Sequence, residues 1–268
     1  MTILVTGVRG NIGSRVVAKL TEAGHDVRGS AREARPGTVQ LDITHPTNAA
    51  EALRDVDTMF LYPTRGSVDD FLTAARDAKV RHVVLLSSPA AYEPGEFDRP
   101  IGMAHRAMEQ ALERSGLSHT VLYPSWLATN AIRDWAAQLR DGRLAIAYPD
   151  AQVSPIHLDD IADVATDLLT RERHRGRMVV LTGPESLRLR DIADILADVL
   201  GRPIPVDTLT REQALAQRTM PEPVLEVLLE VAASAVGVLA PVNNTVERIT
   251  GHPARTFREW AHANRAAF

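Results

Sequence analysis

The chain has 268 residues, of which 45% are hydrophobic and 24% charged, and its formal net charge is −4. That length suits one large α/β domain with a smaller appended lobe, and the composition allows a sizeable core. The charge balance offers no field attractive to nucleic acid or acidic membranes, and the lack of cysteine excludes disulfides, thiolate nucleophiles and Cys-ligated metals.

In chain order, Ile3-Leu4-Val5 reads as a strand. Asn11 to Ala23 reads as a helix, with Ile12, Val16, Val17 and Leu20 on one face and Gly24 as its stop. Val27 to Ala31 is a second strand, and Leu41-Asp42-Ile43 closes a short third one. Thr47 to Leu53 is helical, Thr58 to Tyr62 a strand, Val68 to Ala78 a helix and His82 to Leu86 a strand. Met103 to Ser115 is then a helix and Thr120 to Tyr123 a strand. Strands alternating with helices predict a doubly wound parallel Rossmann sheet covered on both faces. Past Asn130 the rhythm loosens. Ile132 to Leu139, Asp159 to Leu169, Leu189 to Leu200, Thr210 to Ala216 and Pro223 to Val236 read as helices, with strands at Arg143 to Ala147 and Met178 to Leu181. The expected organisation is a dinucleotide-binding domain over 1–150 and a smaller, mostly helical C-terminal substrate lobe over 151–268. The two interleave, because the strand near 178–182 is expected to return to the main sheet. No basic segment precedes the first strand, so the expected location is the cytoplasm. The apolar stretch Val224 to Val242 carries Glu226 and Glu230, which suits a core or lid helix better than a membrane span.

The segment Thr6-Gly7-Val8-Arg9-Gly10-Asn11-Ile12-Gly13 follows an apolar strand and opens a helix, which is the context a dinucleotide fingerprint needs. Gly7 permits the tight turn, Gly10 lets backbone N–H groups approach a pyrophosphate, and Gly13 brings helix and strand close. The helix N-terminus favours the anion. The second strand runs into Ser30-Ala31-Arg32 and has no acid at its end for a ribose 2′-hydroxyl, since Asp26 lies at the other end. Ser30 and Arg32, with Arg35 nearby, suit a 2′-phosphate, because a guanidinium forks onto phosphate; the expected cofactor is therefore NADP(H) in preference to NAD(H). Asp42, beside Ile43, is either an acceptor for the adenine amino group or a turn residue. Leu61, Tyr62 and Pro63 end the next strand, where the loop passes near the cofactor.

Taken together these residues resemble the NmrA-like group of atypical short-chain dehydrogenase/reductases, which includes NAD(P)H:quinone reductases. The resemblance runs along nearly the whole chain: Thr6 to Gly13, Arg32, the strand Val83 to Leu86 with Ser87 and Ser88, His105 and Glu109 four apart, Ser115 to Leu122, Asn130, His157 to Val164, Leu181 to Glu185 and Val246 to Trp260. It implies a Rossmann fold and an NAD(P)H-dependent oxidoreductase. Ordinary members of the superfamily use a Tyr-x-x-x-Lys pair as proton donor and ribose ligand. That pair is absent: four residues beyond Tyr62, Tyr92, Tyr123 and Tyr148 stand Gly66, Glu96, Leu127 and Gln152, and the expected Tyr and Lys positions hold Ile101 and His105. His105 is thus the candidate proton donor or ribose ligand, with a structural hydrogen bond as its alternative, and Tyr92 is a second catalytic candidate.

Where the family has Arg-Pro, this chain has Tyr123-Pro124-Ser125-Trp126. The resemblance puts Ser87, Tyr123, Pro124 and Ser125 against the cofactor and Ser88, Trp126 and Asn130 against substrate. Trp126 and Trp135 are also natural packing residues. His157, Asp159 and Asp160 fit no standard metal spacing, and Asp159 or Asp160 reads as a helix N-cap. The expected reaction is direct hydride transfer from NADPH to a small, flat, apolar quinone, enone or imine-like acceptor. The alternatives are a redox sensor that binds NADP(H) without turnover and a biosynthetic enzyme using the fold for a non-redox step. The expected partner is a small molecule rather than nucleic acid or membrane, and the chain is expected to be a monomer or homodimer.

Overall fold

The computed structural model describes residues 1–33, 35–91, 100–171, 176–217 and 220–268. In chain order the elements are β1 (Thr2–Val5), α1 (Gly13–Glu22), β2 (Asp26–Ala31), β3 (Thr38–Gln40), α2 (Ala49–Ala52), β4 (Val56–Leu61), α3 (Asp69–Asp77), β5 (His82–Leu86), α4 (Pro100–Ser115) and β6 (His119–Pro124). They continue with α5 (Asn130–Arg140), β7 (Leu144–Ala147), β8 (Gln152–Val153), α6 (Leu158–Thr170), β9 (Met178–Leu181), β10 (Leu187–Arg188), α7 (Leu189–Leu200), β11 (Val206–Leu209), α8 (Arg211–Ala216), α9 (Glu222–Ser234), α10 (Thr245–Thr250) and α11 (Phe257–Ala263).

Two compact units emerge. The first comprises Met1–Pro124, Leu158–Leu181 and Arg248–Gly251; the second comprises Ser125–His157, Thr182–Glu247 and His252–Phe268. The first unit is built on a seven-stranded sheet in the order β3-β2-β1-β4-β5-β6-β9, and every pairing in it is parallel. This is the doubly wound Rossmann-like sheet that the alternation of strands and helices predicts. The strands are short apolar runs because both faces are covered, and Ile3, Leu4 and Val5 are each 0% exposed. On one face α1 packs beside α6. On the other, α2, α3 and α4 supply Ala52, Phe71, Leu72, Met108 and Leu112 to a cluster with Leu4, Met59, Leu85 and Val121 of the sheet.

The sheet order reverses between β1 and β4. From β1 the chain winds outward through β2 and β3, and from β4 it winds the other way. In open α/β sheets the crevice beyond the strand C-termini at such a reversal is where ligands bind. The loops following β1 and β4 therefore define the place to look.

The second unit has its own core. Trp135 and Leu139 of α5, Ile192 and Leu196 of α7, and Phe257 and Trp260 of α11 pack together, with the rings of Phe257 and Trp260 stacked at 5.2 Å. Two small sheets complete it, a parallel pair β7–β11 and an antiparallel pair β8–β10.

Three local expectations need correction. The third strand spans Thr38–Gln40, and Leu41 to Ile43 lie beyond it, because Asp42 turns the chain by accepting from the N–H and hydroxyl of Thr44. Asp159 and Asp160 are not caps. The helix starts at Leu158, so both lie in its first turn, where carboxylates suit the positive end of the dipole. The helix of the apolar stretch from Val224 ends at Ser234, and Val238 and Leu239 beyond it are 59% and 74% exposed. Among the described residues, no helix is long and apolar enough to cross a membrane.

Candidate functional site

The glycine motif is the turn between β1 and α1. Gly7 sits at φ +67°, and a Cβ there would lie 2.7 Å from Cβ of Tyr62, so both backbone and neighbour demand glycine. At Gly13 a Cβ would lie 2.3 Å from the carbonyl oxygen of Gly7. Only glycine lets the helix start this close to the strand it follows. The Gly10 N–H donates to the Gly7 carbonyl at 2.8 Å and closes the turn. Thr6 ties this turn to the neighbouring strand: its hydroxyl donates to the Phe60 carbonyl at 3.1 Å and accepts the Tyr62 N–H at 2.8 Å. Thr6 thus places Tyr62 over Gly7.

Beyond the ends of β1, β2 and β4 lies a cavity of about 600 Å³, a size usual for ligand sites. Gly7, Arg9 and Gly10 line it from the first loop, Ser30 and Arg32 from the second, Asp42 and Ile43 from the third, and Tyr62 and Pro63 from the fourth. A second cavity of about 470 Å³ shares Arg32, Tyr62, Pro63 and Thr64 with the first and adds Arg65, Ala104 and His105. A cleft with a glycine turn at its floor and a guanidinium on its wall fits the phosphates of a dinucleotide.

The other predicted residues are placed differently. Ile12 and Gly13 are buried beneath the turn and Asn11 is exposed, and none of the three lines the cavity. Leu61 and Tyr123 are 1% and 2% exposed and belong to the core of the first unit, so only their backbone could meet a ligand. Ser30 is 3% exposed, with its hydroxyl on the Val5 carbonyl at 3.5 Å. The carboxyl of Asp42 is held below its ordinary range, first by the Thr44 hydroxyl and then by the Thr44 N–H. Ser125, Trp126 and Asn130 belong to the second unit. There Ser125 donates to the Ser154 carbonyl at 2.5 Å, and the Trp126 ring lies 6.3 Å from that of Trp135. Pro124 ends β6 and Ser88 follows β5 by two residues. Tyr92 lies outside the described residues.

Glu33 also lines the main cavity, although the sequence reading passed over it. It is held by Arg9 at 3.9 Å and Arg35 at 3.2 Å. Its signal was available, since it is the first acid after β2.

At the end of β5, Ser87 donates its hydroxyl to Glu109 Oε1 and lies 3.4 Å from His105 Nδ1. Ser87 and Glu109 are both 3% exposed. Burial pushes the His105 imidazole below its ordinary 6.5, against the opposing pull of Glu109.

Residues 7–172 match the model of a family described as NAD(P)H-binding. The chain belongs to that family. It is 36% identical to a (4-alkanoyl-5-oxo-2,5-dihydrofuran-3-yl)methyl phosphate reductase of Streptomyces griseus, with 99% of each chain covered. It is 33% identical to an NAD(P)H azoreductase of Xenophilus azovorans, again with 99% of each covered. In fold it matches an Escherichia coli NADPH-dependent quinone oxidoreductase complexed with NADPH, at a TM-score of 0.81 and 22% identity, covering 97% of this chain and 99% of that one. The motif resemblance to NmrA-like atypical short-chain dehydrogenase/reductases is borne out, and the chain is an NAD(P)H-dependent oxidoreductase of the reductase kind.

Proposed function

We propose that this chain reduces a small molecule bearing an electron-poor conjugated double bond, an enone or quinone, with NADPH preferred over NADH. The observation that carries the reading is the cavity at the sheet reversal, with the glycine turn on one wall and Arg32 on another. Bound NADPH would supply the hydride. Gly7 and Gly10 leave room for the pyrophosphate to meet backbone N–H groups at the start of α1. Arg32 would fork onto the 2′-phosphate, and Ser30 and Asp42 would border the adenosine. Glu33 is engaged by Arg9 and Arg35, and the charge that acts on the Arg32 guanidinium is the Asp42 carboxylate of the same cavity, so a 2′-phosphate would meet Arg32 beside Asp42. His105, in the adjoining cavity, would hold the proton that the acceptor needs.

The substrate class draws support from two relatives along the full chain. One is named for a dihydrofuranone that carries a ring double bond and an alkanoyl group, the other for azo reduction. Both names carry an unsaturated group, and an electron-poor double bond that takes hydride directly requires no activated tyrosine.

The test is a panel of quinones, cyclic enones and azo compounds mixed with pure protein and either nicotinamide. Loss of nicotinamide absorbance with quinones or enones, at a higher kcat/KM for NADPH than for NADH, is expected. No turnover with any member would refute the reading.

A further inference from the structure

The described reaction leaves a buried polar group unexplained. Glu109, on α4, is 3% exposed, and the hydroxyl of Ser87 points at it from the end of β5. A buried carboxylate is costly unless it is hydrogen-bonded, and the Ser87 hydroxyl is one of the groups that satisfy it. Serine has one O–H, and here it is donated to Glu109 Oε1. The Ser87 oxygen can therefore only accept from its other neighbour, His105 Nδ1 at 3.4 Å. The proton on neutral His105 is thereby assigned to Nδ1. Nε2 is the ring nitrogen not engaged by Ser87, and His105 lines a cavity with Arg32, Tyr62 and Arg65.

We propose that Glu109, acting through Ser87, is a positioning residue that fixes His105 as its Nδ1–H tautomer and presents Nε2 as the proton-exchange site for the reduced acceptor. The catalytic half of this statement rests on the reductase reading above; the tautomer half does not. In one turnover the acceptor gains a hydride from NADPH, which becomes NADP⁺, and a proton from Nε2 of the His105 imidazolium. His105 is left neutral and takes its next proton from water.

The sign of the pH dependence follows. Burial lowers the His105 pKa and Glu109 raises it. Among the described residues, the other charged groups lining the cavity with the ring are Arg32 and Arg65; Arg106, the next residue on α4, is turned to the Ala91 carbonyl at 2.8 Å. The acid form donates, so kcat rises as pH falls through the His105 pKa. Removing the Glu109 charge moves that limb to lower pH.

The test uses the full chain labelled with nitrogen-15 histidine, with NADP⁺ bound, and H105Q to assign the ring. The wild type should show Nδ1 protonated and Nε2 bare at high pH. S87A should shift the ring toward the Nε2–H form, and E109Q should titrate at lower pH than wild type. These signals need no turnover, so they support the linkage even if no acceptor is ever reduced. With a simple benzoquinone as acceptor, H105Q should lower kcat about a hundredfold and E109Q about tenfold, with the KM for NADPH held. An Nε2–H tautomer in the wild type overturns the proposal. So does a ring titration and a pH–rate limb that neither S87A nor E109Q moves, provided both variants melt as the wild type does.

Discussion

Arg32 and Glu33 are sequence neighbours of opposite charge on one cavity wall. A 2′-phosphate would meet Arg32, whereas a free 2′-hydroxyl would need an acceptor such as Glu33. Replacing Arg32 by alanine should weaken NADPH by about 1.5–3 kcal/mol, the worth of a hydrogen bond to a charged group, and leave NADH nearly unchanged. Titration calorimetry with both nucleotides checks this, and equal losses would assign Arg32 a structural role. Gly13 offers a sharper steric test. Its missing Cβ would stand 2.3 Å from a backbone oxygen that cannot swing away. G13A should cost about 1–3 kcal/mol, read as a fall in denaturation midpoint, and should loosen NADPH. That Gly7, Gly10 and Arg32 belong beside one another was legible in the sequence, because each follows a strand that a few adjacent residues define, and all three line one cavity. Thr6 was legible only as part of a motif; that its hydroxyl would set the position of Tyr62 depends on a strand more than fifty residues away in sequence, since Thr6 and Tyr62 are separated by 56 positions.

At the scale of elements, the amphipathic helices and the four-residue strands were readable and the two-residue strands were not. The bounds of α7, Leu189–Leu200, follow from an apolar stripe and from Gly201, which takes φ +71° at the C-cap. By contrast, β8 and β10 are two residues each and exist only because Leu187 and Arg188 meet Val153 and Gln152. No periodicity can show in so short a run. The last α-helix, α11, shows how local chemistry sets a start: the Thr256 hydroxyl accepts the Glu259 N–H at 3.2 Å, and Glu259 accepts the Thr256 N–H at 2.7 Å. T256A should cost about 1 kcal/mol. The Glu259 carboxyl is held below its ordinary 4.5, first by the Thr256 N–H and then by its hydroxyl. A depressed acid contributes stability above its unfolded pKa and loses it as pH falls through the folded one. The gap between T256A and wild type should therefore narrow in acid below 4.5. Melting curves across that range decide it, and a constant gap would detach Glu259 from the cap.

At the scale of the molecule, the chain leaves the first unit after Pro124, re-enters it at Leu158 for α6 and β9, and leaves it again after Leu181. The strand order puts β9 beside β6 at the far edge of the sheet from β3. The cavity proposed for the dinucleotide is lined wholly by residues of the first unit. NADPH should then stabilise that unit selectively. At a hundredfold excess over Kd the gain is about 2.7 kcal/mol, and hydrogen exchange should slow in β1, β2 and β4 more than in α7 and α11. Uniform protection of both units would show that they unfold as one.

The sequence by itself determined the alternation of buried strands and amphipathic helices, the glycine turn, the basic end of the second strand and the loss of the Tyr-Lys pair. Each depends on residues within a turn or two of one another. Only the tertiary structure decided that Glu33 faces the same cavity as Arg32, that Tyr123 and Leu61 bury their side chains in the core, and that Ser87 joins Glu109 to His105. Those outcomes depend on which strands become neighbours and which helix covers them, and hydrophobic pattern alone is indifferent to that choice.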